Sequence, residues 1–202
     1  PHLEQVEKAL VDGGAEGAAF AAVTVVHSET STGALSDIRA ITELAHRHGA
    51  MCLVDSVTGV GGAPVEADAW GLDFVLTGSQ KALALPPGLA FAVASEAFVL
   101  QASVSIGRGR YLDVVEYEEL ARRSQTPTTP ALSPLFAADV HLSAIRHEGI
   151  NVRWARHAEM LALTERWVEE LRADGLGVGH LSRPGERSLR DLAGRQHVAA
   201  DL

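Results

Sequence analysis

The sequence predicts an α/β fold, a mostly parallel sheet flanked by helices, and three observations predict it. Residues 18–26, 51–55 and 72–77 are short, largely apolar runs, as expected of strands buried on both faces of a parallel sheet. Helical spacing separates them, at 35–48 and again, briefly, near 65–70. The resulting order, strand, loop, helix, strand, loop, helix, strand, is that of a sheet with right-handed crossovers.

Each element has a local reason. Leu3, Val6 and Leu10 give residues 2–12 a helical face, which the glycines at 13, 14 and 17 are expected to end. The run Ala18 to Val26 is the first strand, and a loop from His27 to Gly33 follows it. Leu35, Ile38, Ile41 and Leu44 mark the next helix, with Asp37 near its start and Gly49 at its stop. The second strand ends in an acid, Leu53-Val54-Asp55, and a glycine-rich loop over 59–63 follows. The third strand leads to Lys81. Residues 89–95 follow Pro86-Pro87-Gly88 too closely for a helical crossover, so that strand is expected to run antiparallel to its neighbour. Residues 104–130 are less regular, and 131–175 read as helix punctuated by Pro134 and Gly149. Beyond Gly177 the periodicity is lost, and Arg183, Arg187, Arg190 and Arg195 are scattered with no apolar face.

Composition narrows the function. The chain has 202 residues, enough for one domain with a real core or for one domain and part of another. A net charge of −9 argues against a nucleic-acid partner, because phosphate binding needs a basic surface. Cys52 is the only cysteine, which excludes a disulfide framework and a cysteine-rich zinc site and makes a reducing, cytoplasmic compartment the default. No apolar run approaches the roughly 18 residues of a membrane span. The chain opens at Pro1, directly in a helical pattern, so the true N-terminus and any targeting segment are expected to precede it.

The chemistry centres on a lysine. Of the 17 lysines and arginines only Lys8 and Lys81 are lysines, and Lys81 stands in Thr77-Gly78-Ser79-Gln80-Lys81-Ala82-Leu83, just past a strand. If the runs ending at Asp55 and Thr77 are strands of one parallel sheet, Asp55 and Lys81 share its carboxyl edge, where sites form in α/β folds. A neutral lysine amine forms an imine with an aldehyde. A carboxylate beside it suits the protonated pyridine nitrogen of pyridoxal phosphate (PLP), so the pair suggests a PLP site. Taken singly, each has a plainer reading: a surface lysine in a loop, and an aspartate capping a turn.

Other features carry less. Gly59-Val60-Gly61-Gly62 is not a dinucleotide fingerprint, since it follows Asp55 by several residues and lacks a third glycine at the right distance. His46 and His48 sit two apart at a helix end with no cysteine or acid to complete a metal site. His27 lies in the loop of Thr30 and reads as a packing residue.

The succession Glu29-Thr30-Ser31-Thr32-Gly33, Leu53-Val54-Asp55-Ser56-Val57, Gly62 with Pro64, Gly78-Ser79-Gln80-Lys81-Ala82-Leu83 and Pro86-Pro87-Gly88 resembles the class V aminotransferases of PLP fold type I. Within that family it is most similar to the alanine- and serine-glyoxylate aminotransferases, and the resemblance covers about residues 1–172. It implies that Lys81 holds PLP as a Schiff base and moves a proton in the reaction. It further implies that Asp55 pairs with the pyridine nitrogen, Val57 packs on a ring face, Thr30 bonds the phenolic oxygen and Gln80 binds the phosphate. Gln125-Thr126-Pro127-Thr128-Thr129-Pro130 resembles the segment that crosses a homodimer interface, with Thr128 as a phosphate donor; Gln125 stands where some members have tyrosine.

On this resemblance residues 1–145 are a PLP-binding large-domain portion and 146–202 the start of a small C-terminal α+β domain. The tail from about 178 is atypical, as if truncated or out of frame. The implied substrates are a small amino acid, of alanine or serine type, and a keto acid such as glyoxylate. The family's phosphate turn and substrate-clamping arginine would lie outside this chain. That leaves a non-catalytic remnant as one alternative. A cysteine desulfurase is another; those enzymes usually carry His before the lysine and a mobile cysteine, where this chain has Gln80 and a buried Cys52. A nucleotide-binding domain ranks last, since Glu29 would face the phosphate.

Overall fold

In the computed structural model, residues 2–15 and 19–179 are described. The atypical tail therefore lies outside the described residues, apart from its first positions. A four-stranded sheet forms the centre, with strands β1 (Ala22–Val26), β2 (Met51–Asp55), β3 (Phe74–Gly78) and β4 (Ala90–Ala94) side by side in chain order. The first three strands are parallel, and β4 returns antiparallel to β3, as the short link after Lys81 requires.

Helix α1 (Leu3–Ala15) runs on through Gly13 and Gly14 rather than stopping there. The phenyl ring of Phe20 explains the glycine: a Cβ at Gly13 would lie 2.3 Å from its Cε2. Helix α2 (Ile38–Arg47) starts three residues later than the 35–48 spacing predicts and stops where Gly49 marks it, for identifiable reasons. The Asp37 carboxylate accepts from the Ala40 N–H at 2.9 Å. At the other end Gly49 takes φ +73, and the Gly49 and Ala50 N–H groups bond back to His46 and Ala45, a Schellman closure.

The buried face of α2, Ile38, Ile41, Leu44 and Ala45, packs with Val25, Cys52, Val54 and Val75 in one core cluster. Only alternate residues of β1 enter that core: Ala22, Thr24 and Val26 are exposed, so the strand is not buried on both faces as its apolar run predicts. No described element packs over that second face.

Two further expectations change. Residues 65–70 form turns, not a short helix: Trp70 N–H bonds the Glu66 carbonyl, and Gly71 and Leu72 return to Asp68 and Ala67 without a continuing helical ladder. Strand β3 starts at Phe74 because Asp73 is used otherwise. Its carboxylate accepts the Cys52 N–H at 2.8 Å, at the place where the β2–β3 ladder has not yet begun, and it pairs with His46 Nε2 at 2.8 Å. His46 thus clamps the end of α2 to the sheet.

The irregular stretch contains two short helices, α3 (Glu96–Ser103) and α4 (Val114–Ala121), capped by Ser95 and Asp113. Gly149, at φ +89, divides the long helical stretch into α5 (Leu132–Glu148) and α6 (Ile150–Ala173). Pro134 falls in the first turn of α5, where its missing N–H costs nothing. No described helix is long and apolar enough to cross a membrane.

Candidate active site

The register of the sheet brings the carboxyl ends of three strands together. Asp55 lies opposite Val26 on one side and Leu76 on the other, so the loops leaving β1, β2 and β3 start within about two strand spacings, roughly 10 Å. They carry Thr30, Asp55 with Val57, and Lys81.

The first loop is folded on itself. Ser28 bridges to Leu35, Gly33 adopts φ +69 and donates to the Glu29 carbonyl at 2.8 Å, and the exposed Thr30 sits at the bend. Hydrogen bonds from the Ser31 N–H and Ser31 hydroxyl hold the Glu29 carboxyl below its usual range. Thr30 Oγ1 is 3.5 Å from Thr58 Oγ1, which itself donates to the Ser28 carbonyl at 2.7 Å, so the loops after β1 and β2 are joined.

Asp55 ends β2 exposed, its Oδ1 accepting the Val57 N–H at 3.0 Å. Val57 is half-buried. Directly behind them His27 is buried, with Nδ1 2.8 Å from Ser56 Oγ and its N–H bonded to the Asp55 carbonyl at 2.8 Å. Burial pushes the imidazole pKa down from 6.5 to about 4, so it is neutral at pH 7. Gly59 has to be glycine here, because a Cβ would lie 2.2 Å from His27 Nδ1 and 2.6 Å from Ser56 Oγ.

Lys81 is half-buried in a loop held by Ser79. The fully buried Ser79 hydroxyl donates to the Pro86 carbonyl at 2.6 Å and accepts the Leu89 N–H at 3.3 Å, while its backbone bonds Leu89 and Leu85. Leu83 and Leu85 anchor the loop in a second core cluster with Ala138 and Ile145 of α5. Ala84 takes φ +55, an uncommon conformation for a residue with a Cβ, three positions past the lysine. The lysine amine has no hydrogen-bond or ion-pair partner among the described residues. The exposed Gln80 side chain folds back over Gly78, where a Cβ would be 2.8 Å from its Oε1.

Thr128 stands apart. It is exposed in the link between α4 and α5, its carbonyl taking the Thr126 hydroxyl at 2.8 Å, and no described hydrogen bond joins it to the three loops. An apolar cavity of about 290 Å³ beside β3 and β4, lined by Val65, Leu76, Phe91, Val93 and Leu142 among others, includes none of the six candidate residues. Cys52 lies fully buried in β2, its thiol pushed up by burial, three residues before Asp55 and hence about 10 Å back along the strand. Among the described residues no group of three His, Cys, Asp or Glu could hold a metal ion.

Sequence reasoning missed the supports: Ser79, the His27–Ser56 pair, and Arg153 of α6. The guanidinium of Arg153 is buried and donates to the carbonyls of Gly61 and Ala82, one in the turn after β2 and the other next to Lys81. No sequence signal separates Arg153 from the other arginines, because its partners are 92 and 71 residues away.

The donor set fits PLP: a half-buried primary amine, an exposed carboxylate at a strand end with only the Val57 N–H on it, and hydroxyls on the adjoining loop. Comparison with known proteins gives the family. Residues 16–173 match the family model described as aminotransferase class-V. The chain is 37% identical over 166 residues to a soluble hydrogenase small subunit of Synechococcus sp., covering 81% of this chain and 43% of that protein. It is 32% identical over 186 residues to alanine–glyoxylate aminotransferase 1 of Saccharomyces cerevisiae, covering 86% and 47%. The crystal structure of an alanine–glyoxylate aminotransferase from Nostoc sp. superposes with a TM-score of 0.80 at 28% identity, over 94% of this chain and 48% of that one. The chain thus spans less than half the length of each of these relatives. With the family model covering most of its length and the parallel sheet presenting Lys81 and Asp55 at one edge, this chain belongs to the class V aminotransferases.

Proposed function

We propose that this chain carries the cofactor-binding edge and the catalytic lysine of a PLP-dependent aminotransferase. The reaction would move an amino group from a small amino acid, of alanine or serine type, to a keto acid such as glyoxylate. The observation that carries this reading is the placement of Lys81, in a loop locked by Ser79, at the same sheet edge as the exposed carboxylate of Asp55.

When bound, PLP supplies the electron sink that lets a substrate Cα–H bond ionise. The residues of the chain divide the remaining work. Lys81 Nζ would hold the cofactor and, once released by the incoming amine, take the proton from the substrate Cα and return one to the cofactor. Asp55 would keep the pyridine nitrogen protonated by placing a carboxylate against it. Val57 would support one ring face, Thr30 would donate to the phenolic oxygen, and Gln80 would bind the phosphate. Thr128 would serve the phosphate of a partner subunit in a homodimer, a role open to an exposed side chain. Residues 1–145 would form the large-domain portion and 146–202 would begin the small domain.

The test is the visible spectrum of the purified protein with added PLP, before and after borohydride, for the native chain and Lys81→Ala. The expected result is a band that borohydride fixes covalently in the native chain alone. A native chain with no such band would overturn the cofactor reading and leave a non-catalytic remnant. A band retained in Lys81→Ala would overturn the assignment of the lysine.

A further inference from the structure

Arg153 has no part in the chemistry proposed for Lys81, yet it is a buried cation aimed at the loops around that lysine. Its side chain is 8% exposed. Nε donates to the Gly61 carbonyl at 3.0 Å and Nη2 to the Ala82 carbonyl at 2.8 Å. Nη1 pairs with Glu148 Oε2 at 3.1 Å, and the other oxygen of Glu148 takes Arg156 at 2.6 and 2.8 Å. Those bonds, with Arg156 contributing most, hold the Glu148 carboxyl below its usual range, so the acid that neutralises Arg153 stays charged.

A buried guanidinium is costly unless all its donors are used, and its planar fork is what can reach two carbonyls and a carboxylate at once. Both carbonyls belong to backbone that the site depends on. Gly61 is in the turn after Asp55, and Ala82 directly follows Lys81. The two segments pack at close range: a Cβ on Gly61 would be 3.2 Å from Leu83 Cδ2, and one on Gly62 would be 3.2 Å from Ala82 Cβ. Ala84, at φ +55, keeps its unfavourable conformation only if its surroundings impose it.

We propose that Arg153 is a positioning residue for Lys81: its guanidinium ties the carbonyl of Ala82, the residue after Lys81, to the turn after Asp55 and so sets where the amine stands relative to the carboxylate. The proposal deepens the reading of Lys81 given above and rests on it for its function.

Because the chain contains just two lysines, the amine can be followed directly. The experiment is competitive acetylation of the full chain with trace acetic anhydride across pH, with Lys81 scored against Lys8 by mass spectrometry, for the native chain, Arg153→Lys and Arg153→Met. Near-ultraviolet circular dichroism reports whether each variant is folded. A lysine at 153 keeps the charge and three donors but, as a compact point charge without the planar fork, does not span the Gly61 and Ala82 carbonyls and Glu148 in the geometry of arginine. The expected result is a Lys81 to Lys8 labelling ratio changed about threefold or more in folded Arg153→Lys, equivalent to about half a pH unit. Capture of PLP by Lys81, trapped with borohydride, should slow by about tenfold, within the cost of displacing a reacting group by less than 1 Å. A folded Arg153→Lys with the native ratio and capture rate overturns the proposal. So does unfolding of Arg153→Met beside native behaviour of Arg153→Lys, which would make the residue purely a packing element. Trapping in the native chain reads the parent assignment separately: a shifted ratio without trapping in any form upholds the positioning role and overturns PLP as the ligand.

Discussion

The hydroxyl of Ser79 donates a 2.6 Å hydrogen bond to the carbonyl of Pro86, seven residues on, and closes the loop that presents Lys81. The same oxygen accepts the Leu89 N–H, so one buried side chain fixes both ends of the loop. Ser79→Ala takes the partner from the Pro86 carbonyl and from the Leu89 N–H, both bonds part-buried, a loss of roughly 1–2 kcal/mol. Thermal melting should show that loss, and PLP trapping should slow while Lys81 itself is untouched. Native melting together with native trapping would show that the loop holds its shape without the hydroxyl.

Asp55→Asn separates holding the cofactor from using it. The amide is nearly the size of the carboxylate and can still accept the Val57 N–H, so the fold and covalent capture at Lys81 should survive. Amino transfer by the protein carrying this chain should fall by about two orders of magnitude or more, since a neutral amide cannot keep the ring nitrogen protonated. Single-turnover spectra with alanine or serine as donor would measure it. Undiminished turnover would remove Asp55 from the mechanism.

The buried His27 makes a pH prediction with a definite sign. Its pKa is about 4 in the folded chain against 6.5 when free, so between those values the unfolded chain binds more protons. Stability should therefore fall as pH drops from 6.5 to 4, by at most roughly 3 kcal/mol at about 1.4 kcal/mol per unit, and be independent of His27 above 6.5. Urea midpoints for the native chain and His27→Gln between pH 7.5 and 4 would test this. The variant should show the shallower acid limb, and parallel limbs would refute the assignment.

Asp73 is expected to matter for folding and not for chemistry. Asp73→Ala strips the partner from the buried Cys52 N–H and from His46, a loss of roughly 2–3 kcal/mol. Urea denaturation should register it, and trapping at Lys81 in the surviving folded fraction should be native-like. A variant as stable as the native chain would show that water replaces the carboxylate.

The local signals and the outcome can be compared element by element. Asp37 and Gly49 marked the ends of α2 because capping depends only on neighbouring residues, and the structure uses both. The short link through Pro86, Pro87 and Gly88 forced an antiparallel return, and β4 makes it. The glycine cluster marked the end of α1, which stops at Ala15, past Gly13 and Gly14; Gly13 itself lies against the Phe20 ring. The turn at 65–70 misled because its apolar residues pack against the core without a continuous helical ladder. The places of Asp55 and Lys81 were legible, since a charged side chain at or just past the end of an apolar run is a pattern along the chain, and the sheet register sets both at its carboxyl edge.

By itself, then, the sequence determined what neighbours in the chain can decide: the first strand–helix–strand unit, the caps of its helix, and the acid and the lysine at or just past successive strand ends. Only the tertiary structure decided what holds them. That Arg153 grips Gly61 and Ala82, that Asp73 satisfies Cys52 before the ladder begins, and that burial keeps His27 neutral behind Asp55 all follow from groups brought together across many residues. The physical reason is that a buried donor or charge must find its partner in space, whatever its distance along the chain.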